Sequence, residues 1–214
     1  MYGKEKMFEN LKAYLTQQGF KYIKPEKAGS LAEEMIALKT LGQSARAEFT
    51  EIAKVLALKV SPFEMMRVSN WANQAQVVRP HFWCYYKQPE DNQDDVGLAI
   101  RLYGNSANFG ISVEVSFIER KKSKATLAKQ HKVLDIPIAE PLYYFAQEKS
   151  ESHRVSGTEA YRQMLRQKVA DGQVRKVLVK YDIPISEGSD LVILTDQLAQ
   201  GFDKLMPYYQ ATKL

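Results

Sequence analysis

The sequence predicts an α+β fold: N-terminal helices packed on a largely antiparallel sheet of about five strands, with a helix at the C-terminal end. Three observations carry this prediction. Apolar residues recur at helical spacing in the first third of the chain and again at its end. Two runs of strict apolar–polar alternation, Val96–Leu102 and Ile111–Phe117, flank a short polar loop, which is the pattern of a β-hairpin. The strand patterns cluster in the middle of the chain rather than alternating regularly with helices, so the sheet is not expected to be a parallel one.

Taken in order, Met7, Phe8, Leu11, Tyr14 and Leu15 define an amphipathic helix over about Lys4–Gln18, stopped by Gly19. Ser30 with Glu33 reads as a capping box opening a long helix that includes Met35, Leu38, Phe49, Ile52 and Leu56, with Gly42 as a point of division. Ser61-Pro62-Phe63-Glu64 carries the same start signal, with proline at the first helical position, and predicts a short helix to about Trp71. Residues Pro80–Tyr86 are extended, and the hairpin follows. If its loop centres between Ser106 and Ala107, Arg101 faces Ser112 and Ala99 faces Glu114. Ser123–Val133 is a basic helix, Leu142–Gln147 a strand, and the polar stretch after it a loop. Ser156 with Glu159 caps a helix over Thr158–Ala170. Val174–Ile183 is a strand with Val177, Val179 and Tyr181 on one face and Lys176 and Lys180 on the other. Ser189 caps the last helix, which ends near Pro207.

A chain of 214 residues with 45% hydrophobic and 26% charged side chains can bury a full core, so neither disorder nor staples are expected. No linker divides it, and a single domain is expected: residues 1–75 mainly helical, residues 76–214 containing the sheet. The lone Cys84 allows no internal disulfide, which points to a reducing, cytoplasmic location. The first residues lack the basic-then-apolar pattern of a secretory signal. No apolar run approaches the ~20 residues needed to span a bilayer.

Several enzyme classes lack their signatures. No G-x-G-x-x-G, no phosphate-binding G-x-x-x-x-G-K-[ST], no G-x-S-x-G and no H-E-x-x-H occurs, so no catalytic residue is assigned and no cofactor is expected. His81, His131 and His153 are far apart and the single cysteine cannot build a thiolate site, so no metal is expected. Cys84 reads as a small packed hydrophobe. The acidic run Glu90–Asp95 lacks the glycine and terminal glutamate of a calcium loop and reads as a solvated strand connection.

The densest constellation is the run from Trp71 to Trp83. On an extended segment His81, Trp83 and Tyr85 share one face, while Phe82, Cys84 and Tyr86 share the other. One set is core. The other, if the strands are neighbours, shares a surface with Arg101, Tyr103 and Glu114. Planar groups beside cations and amides suit a nucleobase or another flat polar ligand, so Trp71, Arg79, His81, Trp83, Arg101 and Glu114 are candidate ligand-binding residues. The plainer account is that the tryptophans anchor the helices to the sheet and that Arg79 pairs with a carboxylate.

Charge is distributed unevenly. The net charge is +5, but residues 120–180 alone carry 14 basic and 6 acidic side chains, an excess of eight. Such a stretch invites an anionic partner, with Lys121, Lys122, Lys124, Lys129 and Lys132 as candidate phosphate contacts. A solvated mixed-charge surface, with alternating lysines protecting a sheet edge, is the plainer account. The residues therefore favour a non-enzymatic binding module for nucleic acid or another polyanion. The alternatives are a small-molecule enzyme using His81 or Glu114 beside Arg79 or Arg101, and an oligomerising protein.

The run Trp71-x-x-x-Ala75-x-x-x-Arg79-Pro80-His81-Phe82-Trp83 resembles one carried by an uncharacterised bacterial family, some of whose members bear a glucose-6-phosphate dehydrogenase label. That label implies a dinucleotide site, whose fingerprint this sequence lacks. The order of elements over residues 60–210 is similar to that of the N-terminal DNA-reading domain of modification-dependent restriction GTPases. This looser likeness implies DNA binding and rests on a tryptophan-led start, a hairpin, a basic middle and a helix ending in Tyr208-Tyr209.

Overall fold

A computed structural model describes residues 8–70, 77–186 and 188–214. Two helices come first, α1 (Glu9–Leu15) and α2 (Ala32–Ala57), followed by strands β1 (Glu64–Met65), β2 (Trp83–Lys87), β3 (Gly97–Asn105) and β4 (Asn108–Ser116). Then come α3 (Thr126–His131), the hairpin β5 (Tyr143–Glu148) and β6 (Glu151–Ser156), α4 (Glu159–Ala170), β7 (Val174–Pro184) and α5 (Leu191–Ala211). The class is α+β, as the sequence predicts, but the sheet has seven strands rather than five. They run in the order β1-β2-β3-β4-β7-β5-β6, every neighbouring pair antiparallel.

The two additional strands lie at the edges. β6 is polar and largely exposed, a composition that reads as loop and that suits an edge strand, where charged side chains discourage pairing with other chains. β1 stands where a helix was expected from Pro62. Instead Ser61–Pro62 is a cis peptide, Glu64 and Met65 pair with Lys87 and Tyr86, and the buried Phe63 meets Phe202 and Tyr209. The ladder to β2 takes the backbone hydrogen bonds that a helix would have supplied. No helix occurs over residues 62–70, and Trp71 lies outside the described residues.

Local signals located helices better than they located caps. α2 runs unbroken through the buried Gly42, since one helical glycine costs only about 1 kcal/mol against the burial of a long apolar face. Ser30 does not cap α2; it sits in a 3-10 turn, Gly29–Leu31, that leads into the helix. Thr158 and not Ser156 caps α4, accepting from the Tyr161 N–H. Asp190 and not Ser189 caps α5, accepting from the Ile193 N–H at 2.7 Å. α5 also continues past Pro207 to Ala211.

Alternation along the strands divides the sheet into two faces. Leu98, Ile100 and Leu102 of β3, Ile111, Val113 and Val115 of β4, and Val177 and Val179 of β7 are buried on the side covered by α5, with α2 packed beside α5 and α1 against α2. Contact there is close: a Cβ on Gly201 of α5 would meet Val113 Cγ2 at 2.8 Å. Phe82, Cys84 and Tyr86 join this core, and the Cys84 thiol is pushed up to about 12 by burial while donating to the Met66 carbonyl. The opposite face of the sheet carries no helix among the described residues and presents Trp83, Tyr85, Arg101, Ser112, Glu114, Lys180 and Phe145.

The acidic connection between β2 and β3 is exposed at Glu90, Asn92 and Gln93, as a solvated connection should be, but Asp95 is buried. It wraps the buried Lys87, whose ammonium donates to the carbonyls of Asn92 (2.5 Å), Gln93 (3.1 Å) and Asp95 (2.9 Å). Lys129 pairs with Asp95 at 2.5 Å, and Lys213 with Asp91 at 2.5 Å, so the chain supplies its own cations to this loop. Lys87→Met is expected to leave three inward-facing carbonyls without a donor. The cost is about 2–3 kcal/mol, measurable as a lower urea midpoint together with faster amide exchange over residues 88–95.

Candidate functional site

The face without helices forms the floor of a cavity of about 670 Å³, within the range of small-ligand sites. β2, β3, β4, β7 and β5 supply the floor, about 19 Å across at the usual strand spacing. One wall is the segment 66–70. It runs beside β2 through Met66 N–H to Tyr85 O (2.8 Å) and Ser69 N–H to Trp83 O (3.0 Å), and Arg46 of α2 pins it through the Val68 and Ser69 carbonyls, both at 2.9 Å. The other wall follows β4 through Phe117, Ile118 and the 3-10 turn Glu119–Lys121.

At the centre of the floor lies an ion cluster. Glu114, fully buried, accepts from Arg101 Nε (3.0 Å) and Nη2 (2.7 Å) at Oε1, and its Oε2 lies 3.3 Å from Lys180 Nζ as an ion pair without hydrogen-bond geometry. Burial alone would raise the Glu114 carboxyl, but Arg101 and Lys180 outweigh it and hold the carboxyl down at about 2. Glu114 therefore stays ionised and fixes two cations in place. Beside it Tyr85 donates to the Phe117 carbonyl (2.8 Å) and meets Ser116 Oγ at 3.0 Å; burial pushes its phenol up to about 12. A second cluster forms at the wall, where Glu119 is gripped by Lys176, Arg175 and Lys122 and is also held at about 2, these cations overcoming its partial burial.

The lining carries six guanidinium or ammonium groups (Arg67, Arg101, Arg120, Lys121, Lys176, Lys180) against the two carboxylates Glu114 and Glu119, a surplus of four positive charges. Arg67, Arg120 and Lys121 are exposed and form no ion pair with a described residue. Two half-buried rings, Trp83 on β2 and Phe145 on β5, stand at opposite sides of the floor. Trp83 meets Tyr85 edge-on with centroids 5.3 Å apart, and Lys180 Nζ lies 5.1 Å from the Phe145 ring centre. His81 is at the rim. Its pKa is lowered by partial desolvation and by Arg101, and its Nδ1 lies 3.1 Å from the Pro80 carbonyl.

Of the candidates chosen from sequence, His81, Trp83, Arg101, Glu114 and Lys121 meet in this lining. Arg79 is exposed and lies outside it, and Trp71 lies outside the described residues although its neighbour Asn70 lines the cavity. Lys122 is near the wall but bound to Glu119, and Lys124 is exposed beyond it. Lys129 and Lys132 are on α3 and the turn after it, paired with Asp95 and Asp135. Of the fourteen basic residues between 120 and 180, ten lie within 4 Å of a carboxylate, so the stretch is not one continuous cationic face.

Arg67 and Phe145 carry no ligand-binding signal in the sequence, whereas Arg120 opens the basic run Arg120–Lys124. Lys176 and Lys180 did leave a signal there. Lysines alternating with valines suit either phosphate contact or protection of a sheet edge, and β7 is interior, between β4 and β5, which removes the second account. On an interior strand such lysines must face a polar cavity or a carboxylate: both line the cavity, Lys180 against the buried Glu114 and Lys176 against the partly exposed Glu119. Among the described residues no cluster of His, Cys, Asp and Glu is arranged to hold a metal, and no helix is long and apolar enough to cross a membrane.

Fold and site together define an α+β protein whose antiparallel sheet leaves one face as a cationic, aromatic-lined cavity. Compared with protein-family models and with curated proteins, the sequence matches none.

Proposed function

We propose that this chain is a cytoplasmic, non-enzymatic binding module whose cavity takes an anionic ligand bearing flat rings, with nucleic acid as the ligand class. The observation that carries this reading is the coincidence, in one cavity of about 670 Å³, of a four-charge cationic surplus with the rings of Trp83 and Phe145. Cations at the rim without carboxylate partners are free to meet phosphates, and the half-buried rings offer stacking surface, Phe145 beside the Lys180 ammonium and Trp83 beside Tyr85. An enzymatic reading would have to run on His81, because Glu114 is locked between two cations and has no proton to give at neutral pH.

The test is fluorescence anisotropy with labelled DNA and RNA oligonucleotides. Binding at low salt should weaken roughly tenfold to twentyfold between about 50 and 200 mM salt, as release of a few counterions requires. The exposed double charge reversal Arg67→Glu with Lys121→Glu should abolish it without moving the melting temperature. Absence of binding at low salt by every oligonucleotide sinks the nucleic-acid reading.

A further inference from the structure

We infer that the ligand is a short unpaired stretch of nucleic acid lying across the strands from Trp83 to Phe145, and not a duplex. This rests on the anionic-ligand reading above and goes further on three observations. The first is the separation of the two rings. They stand on β2 and β5, with β3, β4 and β7 between them, about 19 Å across the strands, and the register sets them four residues apart along the strands as well, Trp83 in the row of Asp182 and Phe145 in the row of Leu178, so they cannot sandwich one base. They are instead two separate platforms, one at each side. An open four-stranded sheet with aromatic side chains stacks two or three bases of a single strand, and this floor is five strands wide.

The second observation concerns what such platforms can touch. In a duplex each base covers its neighbours' faces, and only its edges reach the grooves. A protein ring can stack only on a base whose face is open, as in a single strand. Trp83 and Phe145 project from the floor of a cavity whose walls are the segment 66–70 and the turn 119–121. A chain of single bases can enter that space, whereas a duplex would rest on the walls and leave the rings unused.

The third is the number of free cations. Duplex binding draws on phosphate contacts along an extended surface, but most of the basic stretch is neutralised by its own carboxylates, leaving Arg120, Lys121, Lys124 and Lys149 without an ion pair to a described residue. Arg120 and Lys121 line the cavity, and Arg67 joins them from the opposite wall. Three such contacts with a single strand give a salt slope, log K against log salt, of about −2, whereas six to ten with a duplex give roughly −5 to −9.

The experiment uses the whole chain with four probes: a single-stranded oligonucleotide of about eight residues, a duplex of mixed sequence, a nucleoside monophosphate and inorganic polyphosphate. The expected result is tightest binding of the single strand with a slope near −2. Trp83→Ala and Phe145→Ala should each weaken it about fivefold or more, with unchanged circular dichroism. Phe145→Trp, which keeps a ring, should retain binding and add a fluorescence signal that the single strand quenches. Tighter binding of the duplex with a steep slope overturns the inference and leaves the anionic-ligand reading standing. So does displacement by polyphosphate or monophosphate alone, or single-strand affinity that ignores both ring truncations. If none of the four probes binds, both readings fall together.

Discussion

Glu114→Ala is expected to destabilise the fold by about 3–5 kcal/mol, because it leaves Arg101 and Lys180 facing each other in a largely desolvated floor without their shared counter-charge. The urea midpoint reports the loss. A triple replacement, Arg101→Met with Glu114→Leu and Lys180→Met, should recover most of it, since apolar side chains of similar volume carry no desolvation penalty. The same triple variant should lose affinity for the anionic ligand. A cluster that contributed only to stability would leave binding untouched in the triple variant.

The pH dependence follows with a definite sign. Glu114 is held at about 2 in the folded chain, below its ordinary value of 4.5. A carboxyl depressed by folding stabilises the fold fully above its unfolded pKa, and that stabilisation is lost as pH falls through the folded value. Stability should therefore decline below about pH 4.5 and keep declining towards pH 2. Glu119 is depressed in the same direction but is partly exposed, so its share is discounted for solvent screening. Comparing the acid limb of Glu114→Gln with that of the unaltered chain isolates the buried carboxylate: the variant's limb should be flatter.

The second large effect is expected at Phe82→Ala, at about 3–5 kcal/mol. Phe82 is 1% exposed, its ring lies 5.0 Å from that of Tyr14 and 6.0 Å from that of Phe49, and its carbonyl accepts from the Leu102 N–H at 2.9 Å. One side chain thus joins α1, α2 and the sheet. Thermal unfolding should show the loss, while the folded variant should bind single strands within about twofold of the original, because Phe82 and Trp83 point to opposite faces. A matching loss of affinity would mean that the two faces are coupled through the sheet.

These two predictions separate what could be read in the sequence from what could not. Period-two alternation already divided Phe82, Cys84 and Tyr86 from His81, Trp83 and Tyr85, and the hairpin loop placed Arg101 opposite Ser112 and Ala99 opposite Glu114, as the register has it. The core and half of the cavity floor follow from that. The caps misled by one or two residues because Ser, Thr and Asp within a turn of a helix start compete for the same N–H groups, and the packing of the whole helix chooses among them. Pro62 misled more because its signal marks a first turn equally well whether or not a helix follows. β6 was invisible because an exposed edge strand has no apolar face to alternate.

What the sequence determined by itself is which side chains along each segment share a face, since backbone geometry sets the periods of 3.6 and 2 and the apolar residues mark the buried side. What only the tertiary structure decided is which strands are neighbours. The chain leaves the β5–β6 hairpin, crosses through α4 and inserts β7 between β4 and β5, and this places Lys180 on Glu114 and brings Phe145 to the floor that Trp83 occupies. Strand neighbours are joined by backbone hydrogen bonds that are the same for every residue type. No side-chain pattern within one strand names its partner, and the cavity exists only once those partners have met.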